Sequence, residues 1–181
     1  MHGTENPSDW VQRWAHLIRP AGRVLDVACG AGRHMHWLAS RGHAVTGVDR
    51  NAQALALASS AGPTILADIE NGPWPFPGQT FDAVVVTHYL WRPLLPRLVQ
   101  SVSEGGVLIY ETFAAGNETV GKPSRPDFLL QTGELLRATT GLRTVAYEEG
   151  FETGPDRFMQ KIVAVRPAPT AEAVRWPLRA S

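Results

Sequence analysis

The fold is decided by the stretch Val24-Leu25-Asp26-Val27-Ala28-Cys29-Gly30-Ala31-Gly32-Arg33-His34, where an apolar run stops at a glycine-rich turn and restarts with helical periodicity. This pattern predicts a strand, a tight loop and a helix in succession. Glycines leave room for a ligand to approach the backbone, and the following helix presents free N–H groups to the same place. The stretch predicts a site for a nucleotide-like ligand, while a βα turn without a ligand remains the alternative.

Short connections join alternating strands and helices along the rest of the chain. Strands are predicted at 23–28, 43–48, 64–67, 81–88 and 106–112, and helices at 33–40, 52–60, 93–102 and 134–140, with Asn51 and Thr132 as caps of the second and last of these helices. This alternation favours βαβ units and a parallel sheet. Two further strands, 143–151 and 157–166, are joined so closely that they must be antiparallel.

Length and composition indicate one globular domain. The chain has 181 residues, of which 44% are hydrophobic and 19% charged, and no apolar run approaches membrane-spanning length. We expect a leading helix over 1–19 that packs on the domain, a main domain over 20–166, and a mobile tail over 167–181. Trp10 and Trp14 lie on one face of the leading helix, which predicts packing against the domain or over a ligand.

Charge and cysteine content limit the partners and the compartment. Seventeen basic and seventeen acidic side chains cancel, so nucleic acid and anionic membranes are disfavoured partners. The single Cys29 and an N-terminus without the features of a secretory signal predict a cytoplasmic location. Neither feature predicts an oligomeric state.

Three acidic residues occupy related positions in the predicted sheet: Asp26 within the first strand, Asp49 after the second and Asp68 after the third. We expect them to face one crevice beyond the strand ends, where Asp49 is placed to accept hydrogen bonds from ribose hydroxyls. Met35 stands where a dinucleotide-binding fingerprint has its third glycine, and Asp26 repels phosphate but attracts an ammonium group. These residues favour a ligand with a ribose, an adenine and a cationic amino-acid end over NAD.

Four spaced motifs then carry a family resemblance. They are Val-Leu-Asp-Val-Ala-Cys-Gly-Ala-Gly-Arg, Val-Thr-Gly-Val-Asp-Arg, Ala-Asp-Ile-Glu and Pro-Trp-Pro-Phe-Pro-Gly-x-x-Phe-Asp-Ala-Val-Val-Val-Thr-His. Over about residues 23–166 the chain resembles class I S-adenosylmethionine-dependent methyltransferases. The resemblance implies an α/β, Rossmann-like three-layer sandwich whose seven-stranded, mostly parallel sheet has the order 3-2-1-4-5-7-6, with strand 7 antiparallel.

The resemblance also implies a set of cofactor-binding residues. Gly30 and Gly32 lie against the methionine part, Asp26 organises its amino end, Asp49 holds the ribose, and Asp68 with its neighbour meets the adenine. The full expected set is Asp26, Ala28, Gly30, Gly32, Arg33, Asp49, Arg50, Asp68, Ile69 and His88. Ala28 departs from the family by standing where its first glycine usually lies. A similarity to the small tellurite-resistance-type methyltransferases suggests a small soft or anionic acceptor.

Chemistry at the methyl group requires mainly alignment and exclusion of water, so a general base is optional. His88 follows the fourth strand, where it can bind cofactor, accept a proton, contact substrate or bond locally to backbone. His88 and Glu111 are the catalytic candidates, and Trp91, Arg92 and Thr112 are the substrate candidates. His34 and His36 point to different faces of one helix, so no metal site is expected.

We therefore expect a cytoplasmic S-adenosylmethionine-dependent methyltransferase that acts on a small molecule. One alternative is the same fold acting on RNA or protein, which the balanced charge opposes. Another is a noncatalytic module that binds the cofactor without turnover. A nicotinamide dehydrogenase is opposed by Met35 and Asp26.

Overall fold

A computed structural model describes residues 6–169 and 174–180. Its seven strands are β1 (Arg23–Val27), β2 (Ala44–Asp49), β3 (Thr64–Leu66), β4 (Phe81–Thr87), β5 (Val102–Phe113), β6 (Arg143–Glu152) and β7 (Arg157–Val165). They form one sheet in the order β3-β2-β1-β4-β5-β7-β6. The first five strands pair in parallel, and β7 runs antiparallel to both β5 and β6. The predicted fold class, strand order and antiparallel strand are confirmed.

Five α-helices flank this sheet: α1 (Asp9–Trp14), α2 (Arg33–Ser40), α3 (Ala52–Ala58), α4 (Leu95–Gln100) and α5 (Glu134–Ala138). Short 3-10 helices cover Ala15–Leu17, Arg92–Leu94, Asn117–Thr119 and Pro126–Phe128. Ser8 caps α1, since its Oγ accepts hydrogen bonds from the N–H groups of Trp10 and Val11. Asn51 caps α3 in the same way, as the sequence predicts.

Two buried clusters fill the space between the helices and the two faces of the sheet. On one face, Trp10 and Trp14 of α1 and Leu38 of α2 pack with alternate residues of the central strands. On the other face, Leu98 of α4 and Leu135 of α5 pack with the intervening residues. Strands buried on both faces explain why β1, β4 and the second half of β5 are apolar almost throughout.

Several predicted boundaries differ from the structure, and the physical reason is clear where α4 meets β5 and at the start of α5. The helix predicted to end at 102 ends at Gln100, because Val102 already pairs with Phe81 as the first residue of β5. Thr132 does not cap α5. Gly133 occupies the cap position in a left-handed conformation, and the N–H of Leu135, which a capping side chain would bind, donates instead to Gln160 Oε1 at 3.1 Å.

The structure describes the tail only in part, because 170–173 and 181 lie outside the described residues. The expectation of a mobile tail falls partly on those residues. Trp176 lies below the Arg143 guanidinium at 5.3 Å, and the carbonyl of Pro177 lies 2.8 Å from His16 Nε2. Residues 1–5, on which the expectation about a signal sequence partly rests, also lie outside the description. Within the described ranges, no helix has the length and apolarity needed to cross a membrane.

Candidate functional site

In the glycine-rich turn after β1, every second residue from 28 to 32 has a left-handed backbone conformation. Ala28, Gly30 and Gly32 have φ values of 54°, 55° and 81°. A Cβ on Gly30 would meet no atom within 4 Å, so this side of the turn is open to a ligand. A Cβ on Gly32 would lie 2.7 Å from Ala58 Cβ, so Gly32 serves the close packing of α2 against α3.

Ala28 holds a conformation that suits glycine. A left-handed alanine costs roughly 1 kcal/mol or more. Ala28 lines the cavity at the ends of the strands, and it stands at the position where the resemblance expects a glycine.

In a dinucleotide fingerprint, a third glycine on the helix lets the helix pack closely against the strand. Here the helix carries Met35, and the glycine lies on the strand, at Gly47. Met35 is completely buried, and its thioether fills the space where a Cβ of Gly47 on β2 would lie. Cys29 Sγ lies against the same face of Gly47. Burial, reinforced by nearby carboxylates, raises the pKa of the Cys29 thiol, so Cys29 is small apolar filling rather than a nucleophile.

Asp49 is fixed at the end of β2 by two backbone groups. Its Oδ2 accepts a hydrogen bond from the N–H of Gly30 at 2.8 Å, and its Oδ1 accepts one from the N–H of Asn51 at 2.8 Å. Each oxygen keeps a further lone pair. The carboxylate can therefore receive two adjacent hydroxyl groups without moving.

Asp68 ends the next strand with a similar local network. Its Oδ1 accepts hydrogen bonds from the N–H groups of Glu70 and Asn71, and its Oδ2 accepts one from the Asn71 amide. The Asn71 side chain, with these two backbone groups, holds the pKa of the exposed Asp68 carboxyl below its usual range. The carboxylate is thus a fixed hydrogen-bond acceptor beside Ile69.

These strand ends surround a cavity of about 380 Å³, the first cavity. It is lined by Ala28, Asp49, Arg50, Ala67, Asp68, Ile69, Glu70, His88, Tyr89, Leu90, Thr112, Phe113, Pro123 and Phe128. Three carboxylates and one guanidinium give this lining a net negative charge. Such a lining repels a pyrophosphate and attracts a cationic ligand.

Asp26 lies behind the first cavity rather than in its lining. It is 1% exposed, because the pleat of β1 directs it to the face covered by α2. Burial raises the pKa of Asp26 to about 7, although the Arg33 guanidinium opposes this rise. Its Oδ2 has no hydrogen-bond partner among the described residues. Asp26 can therefore ionise when a cation binds near the turn.

His88 stands between two cavities. It follows β4 with a φ of 53°, and its N–H donates to the carbonyl of Glu111 at 3.0 Å. Its ring lies 4.9 Å from the ring of Phe113. A non-glycine residue held at positive φ at the end of a central strand is a feature of functional sites. His88 lines both the first cavity and a second one.

The second cavity, of about 600 Å³, is lined by Asn6, Pro7, Ser8, Asp9, Trp10, Arg33, His88, Glu111, Phe151, Glu152, Thr153, Gly154, Arg157 and Lys161. Glu111 and Lys161 face each other across the β5–β7 pair, with 3.6 Å between Oε2 and Nζ. The sequence interpretation missed Lys161. The available signal was a lysine inside the apolar β7, level with a glutamate inside the apolar β5.

A buried histidine holds the N-terminal wall of the second cavity in place. The N–H of Ser8 donates to His34 Nε2 at 3.1 Å, and Trp10 Nε1 donates to the carbonyl of Ile162 at 3.3 Å. Burial, with the charge of Arg33 and the ring of His88, lowers the pKa of His34 to about 3. His34 therefore stays neutral and accepts the Ser8 hydrogen bond throughout the physiological range.

The predicted substrate residues are placed differently from one another. Thr112 lines the first cavity, whereas Trp91 and Arg92 line neither cavity. Arg92 binds the carboxylate of Glu134 through two hydrogen bonds and donates to the carbonyls of Asp127 and Leu129. Arg92 therefore holds the 127–134 segment, whose Phe128 lines the first cavity, against the chain that follows β4.

The expected cofactor residues are brought together incompletely. Ala28, Asp49, Arg50, Asp68, Ile69 and His88 line the first cavity, and Arg33 lines the second. Gly30, Gly32 and Asp26 form the turn and its support. The sequence interpretation missed Glu70, Tyr89, Leu90 and Phe113. Within residues 6–169 and 174–180, no three metal-ligating side chains cluster.

Comparison with a protein family agrees with this geometry. A family model described as "Methyltransferase domain" matches residues 24–105, which hold the glycine-rich turn and the ends of β2, β3 and β4. No curated protein matches the chain significantly in sequence. The methyltransferase resemblance of the sequence is confirmed at the level of this domain.

Solved structures of low sequence identity share the fold. TehB from Haemophilus influenzae has a TM-score of 0.70 at 22% identity, with 90% of this chain and 63% of that chain covered. A TehB-like SAM-dependent methyltransferase from Corynebacterium glutamicum has 0.67 at 18%, with 90% of both chains covered. The N-methyltransferase NodS from Bradyrhizobium japonicum has 0.66 at 18%, with 88% and 94% covered. The chain thus spans less than two thirds of the Haemophilus protein.

Proposed function

We propose that this chain, whose residues 24–105 match a family model of a methyltransferase domain, transfers a methyl group from S-adenosylmethionine to a small-molecule acceptor. The observation that carries the proposal is the charge of the first cavity. Asp49, Asp68 and Glu70 outnumber Arg50 there, which suits a cofactor with a sulfonium and an ammonium group and opposes a dinucleotide.

The residues present fit that cofactor. Asp49 would accept both ribose hydroxyls, and Asp68 with Ile69 would meet the adenine. The open side of Gly30 would admit the methionine part. Asp26, whose Oδ2 has no partner among the described residues, would stabilise the ammonium group from behind the turn. Arg33, at the start of α2, would receive the carboxylate.

When bound, the cofactor supplies a methyl group that its sulfonium charge already activates. The chain then has to orient the acceptor and exclude water. His88 and Phe113 would form the partition between the cofactor and the acceptor, because His88 is the residue that both cavities share. Glu111 would take a proton from the acceptor at its carboxylate, across the second cavity.

A small acceptor is supported by the balance of charge. The chain has as many basic as acidic residues, and the six charged side chains of the second cavity are three of each sign. Neither provides the positive field with which proteins bind a phosphate backbone. Salt-dependent RNA binding would favour the alternative, RNA methylation. We also propose a cytoplasmic location, in keeping with the single, buried Cys29.

Calorimetry tests the cofactor assignment. We expect S-adenosylmethionine and S-adenosylhomocysteine to bind with micromolar affinity, and NAD not to bind under the same conditions. Binding of NAD alone would contradict the proposal. Release of S-adenosylhomocysteine in a screen of small acceptors would separate an enzyme from a noncatalytic module.

A further inference from the structure

The second cavity contains a buried carboxylate that accepts no hydrogen bond from the residues that the structure describes. Glu111 is only 2% exposed, yet it lines the cavity. In the described part of the chain, its carboxylate has one ionic partner, Lys161 Nζ, at a distance longer than a normal hydrogen bond. Burying a carboxylate without donors is unfavourable. The oxygens of Glu111 are therefore available to N–H groups of a ligand.

Lys161 balances the charge of Glu111 without satisfying its hydrogen bonds. The Lys161 ammonium lies in closer contact with Glu152, and that same carboxylate accepts a hydrogen bond from Arg157 Nε at 2.7 Å. The Lys161 ammonium also lies 5.8 Å from the ring of Trp10. This network holds Lys161 away from full engagement with Glu111, so a ligand need not displace it.

Arg157 supplies the complementary group. Its Nε is used by Glu152, while its two terminal nitrogens have no hydrogen-bond partner among the described residues. Both Arg157, the first residue of β7, and Glu111, on β5, line the second cavity. The cavity therefore offers a carboxylate acceptor and a cationic donor to one ligand.

We propose that the second cavity binds a small amine that also carries an anionic group, with its amino N–H donating to Glu111 and its anionic group facing Arg157. The inference rests on the proposed function, since the cofactor then occupies the first cavity and reaches the second cavity only at Arg33. A volume of about 600 Å³ accommodates a small molecule. The equal number of acidic and basic side chains in the lining matches a ligand of balanced charge.

Four matched probes test this chemistry: 4-aminobutanoate, 4-hydroxybutanoate, butanoate and butylamine. Binding is measured by ligand-observed NMR, with the protein free and saturated with S-adenosylhomocysteine. We expect 4-aminobutanoate to bind at least fivefold more tightly than the other three, because it alone offers Glu111 a charged N–H donor while its carboxylate faces Arg157.

Variants assign that preference to Glu111. Glu111→Gln is expected to weaken 4-aminobutanoate at least fivefold and to abolish its advantage over 4-hydroxybutanoate, whereas Glu111→Asp keeps the advantage. Glu148→Gln is the matched control, because Glu148 lies outside the cavity and pairs with Arg13 on the surface. Thermal unfolding of each variant checks that it is folded.

The outcomes distinguish the two proposals. If S-adenosylhomocysteine binds and 4-aminobutanoate shows no advantage, the amine inference is overturned and the proposed function stands. If S-adenosylhomocysteine does not bind, the proposed function is overturned. An amine preference that persists in Glu111→Gln also overturns the inference.

Discussion

The two cavities differ in how far apart along the chain their walls lie. The first is lined mainly by residues that end or follow consecutive parallel strands, such as Asp49, Asp68 and His88. The second joins the N-terminal segment 6–10 to β5 and to residues 151–161 near the other end of the chain. Local turn geometry therefore builds the first cavity, whereas long-range packing builds the second. The two can be altered separately.

The largest difference between the two cavities in their effect on cofactor binding is expected from variants of Asp49. Asp49→Ala removes the acceptor for the ribose hydroxyls, which should cost about 1.5 to 3 kcal/mol, or roughly 10- to 160-fold in affinity for S-adenosylhomocysteine. Asp49→Asn keeps one acceptor oxygen and should weaken binding less. Calorimetry provides the measurement.

Glu111→Gln, in the second cavity, is the contrasting variant and should change this affinity by less than about threefold. Equal losses from the two cavities would show that they do not act separately. Unchanged binding in Asp49→Ala would mean that the ribose lies elsewhere.

Two buried groups on the same face of the sheet should give opposite pH dependences. His34, with a pKa of about 3 when folded, takes up a proton on unfolding between about pH 3 and 6.5. Stability then falls as pH falls, by about 1.4 kcal/mol per unit. Asp26, with a pKa of about 7 when folded, releases a proton on unfolding between about pH 4 and 7, so its contribution falls as pH rises.

The two slopes nearly cancel between about pH 4 and 6.5, and variants should reveal each one. As pH falls, the free energy of unfolding of His34→Gln should rise relative to wild type by about 1.4 kcal/mol per pH unit, and that of Asp26→Asn should fall by the same amount. Urea unfolding from pH 4.5 to 6.5 measures both slopes. His36→Gln, an exposed histidine on the same helix, is the control. Parallel curves for wild type and His34→Gln would contradict a neutral buried His34.

Arg92 should stabilise the segment around Phe128, which lines the first cavity, and should not affect the second cavity. Arg92→Lys loses the paired hydrogen bonds to Glu134 and the contacts to Asp127 and Leu129, at a cost of about 1 to 2 kcal/mol. Hydrogen exchange should quicken in 126–134, while residues 6–10 keep their protection. Faster exchange in both segments would indicate that the two walls are coupled.

The smallest expected effect is a gain. Ala28→Gly relieves a left-handed alanine and should stabilise the protein by about 0.5 to 1 kcal/mol. Ala31→Gly, in the same turn but not at positive φ, should destabilise by a similar amount. Chemical denaturation compares the two, and a loss of stability in Ala28→Gly would show that the Ala28 methyl group packs usefully in the first cavity.

The sequence predicts the parallel strands and the acidic residues at their ends because these features depend on residues close together in the chain. Asp49 and Asp68 follow apolar strands directly, and their side chains are held by backbone groups of the adjoining turns. Asp26 was expected in the crevice, but strand pleat places it beneath α2. Periodicity alone does not tell which face of a fully buried strand meets the ligand.

The second cavity was beyond sequence reasoning for a different reason. Glu111 was a candidate by its position at a strand end, but its pairing with Lys161 depends on the register of β5 against β7. The N-terminal wall depends on a contact between Ser8 and His34, across 26 positions. Such contacts leave no local pattern, since they are set by the packing of whole elements.

The contact between Met35 and Gly47 has an evolutionary consequence. Because the Met35 thioether and Cys29 Sγ both occupy the space of a missing Cβ, they confine position 47 to glycine, and smaller residues at 29 and 35 together release that constraint. Positions 29, 35 and 47 are therefore expected to covary among homologous chains. A lineage that acquired small residues at 29 and 35 would be free to enlarge position 47, and would keep the same helix-to-strand spacing with the small residues on the other side of the contact.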